Sequence, residues 1–468
     1  MKYKVRVAAA LALTALVAVG CSSTTKANAP TTTAKAGDTT TTAKAGDATT
    51  TASAGGAATA DGQIKCTQQY AGKTIEIMSP GRGDDVKPTI AAFVPFEKCT
   101  GAKINWNGTD QFESDIKVRI DGGNYPDLID FPQPGLMKSL AAKGKLKELP
   151  ADLGKKLTTD YAAGWDVLGS LDGKAYAIPE SANVKSLVWY SPADFKAKGY
   201  TIPTTIDELK ALSDKIVADG AIPWCAGIES GTATGWAVTD WFEDFMLRVN
   251  GGDVYDQWVS HKIPFNDPKV VAVADQVASF LKNPKYFGGD DAVKAIATTS
   301  FKEGGLPILS KKCFMHRQAS FYSSMFPKGT TFGEAGQVSF FYLPTLKAGD
   351  KKVMLVAGDV YSLGHPDKPE AVDALRYMAS SDFDNARLAA GDHGLSPLKN
   401  FDLANYSDPL VKSFGELLKS AEVVRFDGSD LMPGAVGTGT FWKEATAWVI
   451  GGSTSDMLGN IEKTWPKA

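Results

Sequence analysis

Three short apolar runs, separated by helix-length amphipathic segments, open the folded part of this 468-residue chain. Thr74–Met78 (TIEIM), Ala102–Trp106 (AKINW) and Asp127–Phe131 (DLIDF) read as strands. Val86–Cys99, with Ala91, Phe93 and Val94 among its apolar positions, and Phe112–Ile120 read as the helices between them. Alternation at this spacing predicts an α/β fold with a parallel sheet covered by helices on both faces. Ligands of such sheets sit beyond the carboxyl ends of the strands. The loops at 80–85, 106–110 and 131–134 therefore share one crevice.

A second set of elements follows. Ser186–Ser191 (SLVWYS), Ile222–Ile228 and Lys352–Val356 read as strands. Thr205 with Glu208 forms a capping box opening a helix over Ile206–Ala218. Gly235–Val249, Lys269–Leu281, Glu370–Ser380 and Phe441–Ile450 read as further helices. From Ile64 to Ala468 this is more chain than one hydrophobic core holds, so two lobes are expected.

The first 63 residues read differently. Lys2, Lys4 and Arg6 precede an apolar run, Val7–Val19, which closes on Ala18-Val19-Gly20-Cys21. That pattern is a lipoprotein signal over residues 1–20, cut before a Cys21 that carries lipid. Residues 31–38 and 40–47 both read TTTAKAGD, and Ser22–Gln63 contains no aromatic or large aliphatic residue. Residues 21–63 thus read as a flexible stalk with nothing to bury. The expectation is a monomer outside the cytoplasm, held to the outer face of the membrane by its lipid alone.

Net charge is −3, falling to −6 without Lys2, Lys4 and Arg6, which gives no electrostatic case for nucleic acid. With Cys21 lipidated, Cys66, Cys99, Cys225 and Cys313 remain, an even number for an oxidising compartment. Three pairings exist; Cys66–Cys99 and Cys225–Cys313 are favoured because each stays within one predicted lobe. No CxxC occurs, and His261, His316, His365 and His393 are scattered, so neither a zinc site nor any other metal or cofactor is expected. Gly72-Lys73-Thr74 ends like a phosphate loop, but Thr67 stands where its first glycine belongs.

The residues also carry a resemblance. Phe96-Glu97-Lys98, Thr100-Gly101-Ala102-Lys103-Ile104, Gly122-Gly123 and Pro126-Asp127-Leu128-Ile129 resemble the opening lobe of extracellular solute-binding proteins of ABC importers. Tyr176–Glu180, Ser186–Tyr190, Gly227–Gly231, Gly235-Trp236 with Thr239-Asp240-Trp241, His316–Phe321, Arg425–Pro433 and Gly439–Trp442 are similar to the maltose- and α-glucoside-binding branch. The resemblance implies two discontinuous lobes closing on a small carbohydrate, which an importer permease then receives. It assigns 64–180 with 353–395 to the first lobe and 181–352 with 396–468 to the second. The chain would return to the first lobe near Val353 and leave it near Leu395.

A sugar presents hydroxyls around an apolar ring face, so a binder needs carboxylates, amides and flat aromatics. Asp84, Asp110 and Gln133 follow the first three strands; Asp110 reads equally as a helix N-cap. Gln133, between two prolines, has no evident structural role. Glu180 resembles a ligand position of the maltose-binding branch. From the second lobe come Glu229 at a strand end, and Trp236 with Asp240 one turn below it. Arg317 and Gln318, Asp359 after the returning strand, Asp430 (cleft wall or local cap) and Trp442, which the resemblance marks as a stacking platform, complete the set. Trp106, Trp165, Trp189, Trp224 and Trp465 read as core or surface.

Rival functions are poorer fits. Glu180 and Glu229 could serve a glycoside hydrolase as an acid pair. In Gly227-Ile228-Glu229-Ser230-Gly231 the serine falls one place late for a nucleophile elbow. Arg82-Gly83-Asp84 resembles an adhesion tripeptide but faces the crevice. Amino-acid or peptide capture is the remaining variant of a receptor.

Overall fold

The computed structural model describes residues 66–466; the signal segment, Cys21 and the stalk lie outside the described residues. In chain order the strands are β1 (Thr74–Ser79), β2 (Lys103–Gly108), β3 (Leu128–Phe131), the hairpin β4 (Ser170–Leu171) and β5 (Lys174–Ala175), then β6 (Ala177–Pro179), β7 (Asn183–Val184), β8 (Leu187–Tyr190), β9 (Met315–Arg317), β10 (Ser339–Tyr342), β11 (Val353–Ala357), β12 (Val360–Leu363) and β13 (Val423–Phe426).

The first lobe is built on a sheet of order β2-β1-β3-β12-β6. The first three strands run parallel, as the alternation predicts, while β12 and β6 add antiparallel pairs. Alternate residues of β1 face opposite ways: Ile75 and Ile77 enter one core, Met78 another. Beneath the first face Phe96 stacks on Tyr377 at 5.7 Å and Phe93 meets Phe383 at 5.1 Å, which docks helices Pro369–Met378 and Ser381–Ala389. On the other face helix Phe112–Asp121 buries Phe112, Ile116 and Ile120. The helix expected over 86–99 is two helices, Lys87–Ala92 and Val94–Thr100. Pro95 explains the break, because it lacks an N–H for the carbonyl of Ala91 and its ring crowds that turn.

The second lobe holds two small sheets, β10-β8-β9 and β13-β11-β7. Ile222–Ile228 forms no strand; Pro223 interrupts it, and it pairs through a single bridge, Trp224 to Met315, with Glu229 just beyond it bridging to Ser300. Helix Ile206–Ala218 starts where the capping signal predicts, with Thr205 accepting from the Glu208 N–H at 3.2 Å. Glu208 reaches back to the N–H of Thr204, one residue early for a reciprocal box. The long helix Trp236–Val259, interrupted at Gly251, lies at the centre of this lobe. Trp241, Phe242 and Phe245 pack from it onto Phe280 and Trp448. The disulfides are Cys66–Cys99 and Cys225–Cys313, the favoured pairing.

Three segments cross between the lobes and are bonded to one another. The N–H of Glu180 donates to Asp359 at 2.9 Å, and Ala182 and Leu395 exchange bonds of 2.8 and 2.9 Å. The return to the first sheet, expected near Val353, comes after Gly358-Asp359: β11 pairs with β7 and β13, and only β12 joins β3 and β6. At the joint a side chain on Gly358 would overlap the carbonyl of Ser181. We expect Gly358→Ala to force these crossings apart and cost about 1–3 kcal/mol, read as a lower urea midpoint; an unchanged midpoint would show the joint to be slack.

Candidate functional site

Where the carboxyl ends of β1 and β3 face the second lobe, a cavity of about 320 Å³ opens between the lobes. That lies at the lower end of the range for small-molecule sites. Its first-lobe wall carries Asp85, Trp106, Asp110, Glu113, Asp130 and Gln133. Glu180, Gly358, Asp359, Arg387 and Asp392 form the floor, near the crossings. The second-lobe wall carries Lys185, Glu229, Trp236, Phe301, Phe321, Asp430 and Trp442. Trp236 is held edge-on by Phe301 at 5.2 Å and tilted against Phe321 at 6.0 Å.

Among the described residues, four buried side-chain polar atoms that line this cavity have neither a hydrogen-bond nor an ion-pair partner in the protein: Asp85 Oδ1, Asp130 Oδ1, Gln133 Oε1 and Trp442 Nε1. Glu180 Oε1 and Arg387 Nε, also at the cavity, face each other at 3.2 Å. Unpaired polar atoms cost free energy when buried, and are rare unless a ligand or water meets them. Three of the four are oxygens and one is an indole N–H, so the cavity suits a group that both donates and accepts.

Crowding of acids sets the charge state. Burial raises Asp130 well above the usual carboxylate range, and the nearby Asp359 charge adds to it. Burial likewise pushes Glu180 up to about 7, against the pull of Arg387. Asp359 is pushed up to about 6 by burial, with Lys185 opposing. Asp430 is raised well above its ordinary value by burial and by Asp427. Arg387 gathers Glu180 at 3.2 Å, Asp384 at 3.2 Å and Asp392 at 3.1 Å.

Eight sequence candidates line the cavity: Asp110, Gln133, Glu180, Glu229, Trp236, Asp359, Asp430 and Trp442. Asp110 does not cap its helix; it pairs with Arg82 at 2.8 Å, and Gln111 stands at the N-cap. Asp430 lines the wall, while Asp427 caps that short helix, accepting from the Asp430 N–H at 3.0 Å. Glu229 is half committed, since Oε1 accepts from the Gly231 N–H at 2.9 Å.

Four candidates lie elsewhere. Asp84 is 87 % exposed and pairs with Lys87; its neighbour Asp85 faces the cavity. Gln318 is buried and folds its Oε1 onto the Ala319 N–H at 2.8 Å. Asp240 and Arg317 are bonded to each other at 2.9 Å, deep in the second lobe. Arg317 also meets Asp244, which bonds Arg248 at 2.7 Å and Ser186 at 2.5 Å. The Lys185 ammonium bonds Asp240 at 2.8 Å and also Asp427. Asp240, Glu243 and Asp427 present oxygens within 4.8 Å of one another. Lys185 already serves two of them, and Glu243 accepts the N–H groups of Gly428 and Ser429, each at 3.0 Å.

Sequence reasoning missed Asp130, Lys185, Glu113, Arg387 and Trp106, all of which line the cavity. Asp130 carried a signal, as an acid inside an apolar strand. Trp106, read as core or surface, donates Nε1–H to the Gly81 carbonyl at 2.9 Å and stands at the wall. Nothing in the sequence sets Arg387 apart from an ordinary surface arginine on a helix.

Two outcomes are expected. Arg317→Met leaves Asp240 and Asp244 under-compensated in the core and lowers stability by about 3 kcal/mol in urea unfolding; no loss would remove the ionic role. Asp359 titrates higher in the folded protein than in the unfolded chain, so its neutral form favours folding below the ordinary carboxylate range. That contribution is lost as pH rises through about 6. Ligand-free Asp359→Asn should therefore match the parent only near about pH 3.5 and melt progressively higher than it as pH rises to about 7.5. A parallel pair of melting curves would refute this.

Residues 82–309 match the family model described as bacterial extracellular solute-binding protein. The osmoprotective compounds-binding protein GgtB of Synechocystis sp. (strain PCC 6803) is 39 % identical over 84 % of this chain and 93 % of its own. The alpha-glucosides-binding periplasmic protein AglE of Rhizobium meliloti (strain 1021) is 37 % identical, over 86 % of this chain and 89 % of its own. Among solved structures, a chitin oligosaccharide binding protein superposes with a TM-score of 0.69 at 18 % identity, covering 83 % of this chain and 97 % of that one.

Proposed function

The chain belongs to the family of bacterial extracellular solute-binding proteins, and from that premise we propose that its cleft captures a small neutral saccharide of the α-glucoside class and delivers it to the permease of an ABC importer. Membership makes the protein an extracytoplasmic solute receptor and not an enzyme, so Glu180 and Glu229 are read as holding a ligand rather than cleaving one.

The observation that carries the reading is the set of four unpartnered polar atoms, beside the Glu180–Arg387 pair, around one cavity flanked by Trp236 and Trp442. Sugar hydroxyls both donate and accept, so they suit carboxyl groups in either protonation state, and each bond replaces the cost of a buried unpaired atom. The ring's C–H face needs a flat apolar partner, which an indole supplies. An excess of acids disfavours an anionic sugar, and the modest cavity favours one or two rings. AglE, named for binding alpha-glucosides and similar across both lobes, supports a small glucoside. In this reading Asp110, Gln133, Glu180, Glu229, Asp359 and Asp430 meet hydroxyls, and Asp130 joins them. The protein works as a monomer, tethered outside the cell through lipid on Cys21.

Thermal unfolding of the purified chain against maltose, trehalose, sucrose, galactose, glucuronate and an amino-acid mixture tests it. A true ligand at 1,000-fold excess over its Kd should stabilise by about 4 kcal/mol. We expect a shift with a neutral glucoside, none with glucuronate, and loss of the shift in Trp442→Ala. A shift with amino acids alone would overturn the substrate class and leave the family intact.

A further inference from the structure

We propose that Glu113 and Gln133 form a relay that ties occupancy of the cavity to closure of the two lobes, with Thr232 of the second lobe as its far end. The proposal rests on the saccharide reading only for the nature of the group that meets Gln133.

The parts are in bonded sequence. Glu113, buried in the first turn of helix Phe112–Asp121, accepts from Gln133 Nε2 at Oε1 (3.1 Å) and from Thr232 Oγ1 at Oε2 (2.8 Å). Thr232 does not line the cavity; it sits in the turn Gly231–Ala233, which precedes the long helix of the second lobe. Its N–H donates to the Asp110 carbonyl at 3.1 Å, so the turn touches the first lobe by backbone and side chain together. Gly231 permits this, with φ +57° and a position where any Cβ would overlap Asp110.

The relay has a direction. Gln133 turns its NH₂ to Glu113, donating from Nε2, and so leaves Oε1 facing the cavity. That oxygen is buried and unpartnered in the protein. A ligand hydroxyl donating to it polarises the amide and strengthens the bond onto Glu113. Glu113 in turn is satisfied at both oxygens only while Thr232 is in place. Opening the lobes strips one partner from a buried acid, so ligand and closure each favour the other.

Energy transfer between dyes on unnatural residues at Val118 and Ile202, both exposed and on opposite lobes, reads closure in the full chain. Thr232→Val keeps the shape and removes the donor. We expect a smaller closed fraction and a Kd raised about tenfold for whichever of maltose, trehalose or sucrose the parent binds. Gln133→Ala should cause no further loss of closure in that background, because the two act through one acid. Closure and affinity like the parent's, or losses that add, would overturn the relay. Should Thr232→Val fold poorly, Glu113→Gln carries the same expectation and the same refutation. If the parent binds no saccharide, the proposed function falls. The relay is then judged on the ligand-free closed fraction of parent and variant, where equality overturns it.

Discussion

A stripe of acids on one helix governs this structure. Asp240, Glu243, Asp244 and Arg248 follow one another along the buried face of Trp236–Val259. Lys185, Arg317 and the helix's own Arg248 answer them. Burial and the Asp427 charge push Glu243 well above the carboxylate range, so it stays neutral. Three cations then face Asp240, Asp244 and Asp427. Asp244 is held below its ordinary value even though burial opposes this, because Arg248 and Arg317 outweigh it. The set joins the link between β7 and β8, the long helix, β9 and the loop after β13. None of these segments could keep its charge buried without the others.

The same charge set reaches the cavity. The Lys185 ammonium lies 5.3 Å from the Trp236 ring centroid, so the aromatic wall is steadied by a cation whose position the core dictates. The site is therefore an edge of the core rather than a separate patch of surface. Polar atoms left over once the interior is satisfied are the ones presented to a ligand.

Much of this was legible in the chain. The period of strands and helices gave the first three strands and the place of the crevice, because local burial alone decides them. Lobe by lobe reasoning paired the cysteines. Gln133 stood out by position, between two prolines and after a strand, and Glu180 by its resemblance to a ligand position. What was not legible is which charged residue answers which. Asp240 and Arg317 suit sugar hydroxyls as well as they suit each other, and they lie 77 positions apart in the chain. Asp84 and Asp85 differ by one place in a loop, and only the packed fold tells that the second faces inward. Arg387 acquires its role because helix Ser381–Ala389 returns to the first lobe, an event of topology with no local mark.

The three bonded crossings have a consequence for the order in which events unfold during capture. Glu180 and Asp359 ride on the pivot itself, so swinging the lobes scarcely displaces them, whereas Gln133 and Trp442 travel with their walls. A solute entering an open cleft meets the pivot pair in final geometry and the walls only afterwards. In the proposed reading, changes at the pivot therefore bear on the association rate, and changes on the walls on residence time. Evolution can adjust how fast such a receptor scavenges and how long it holds its catch through separate sets of residues.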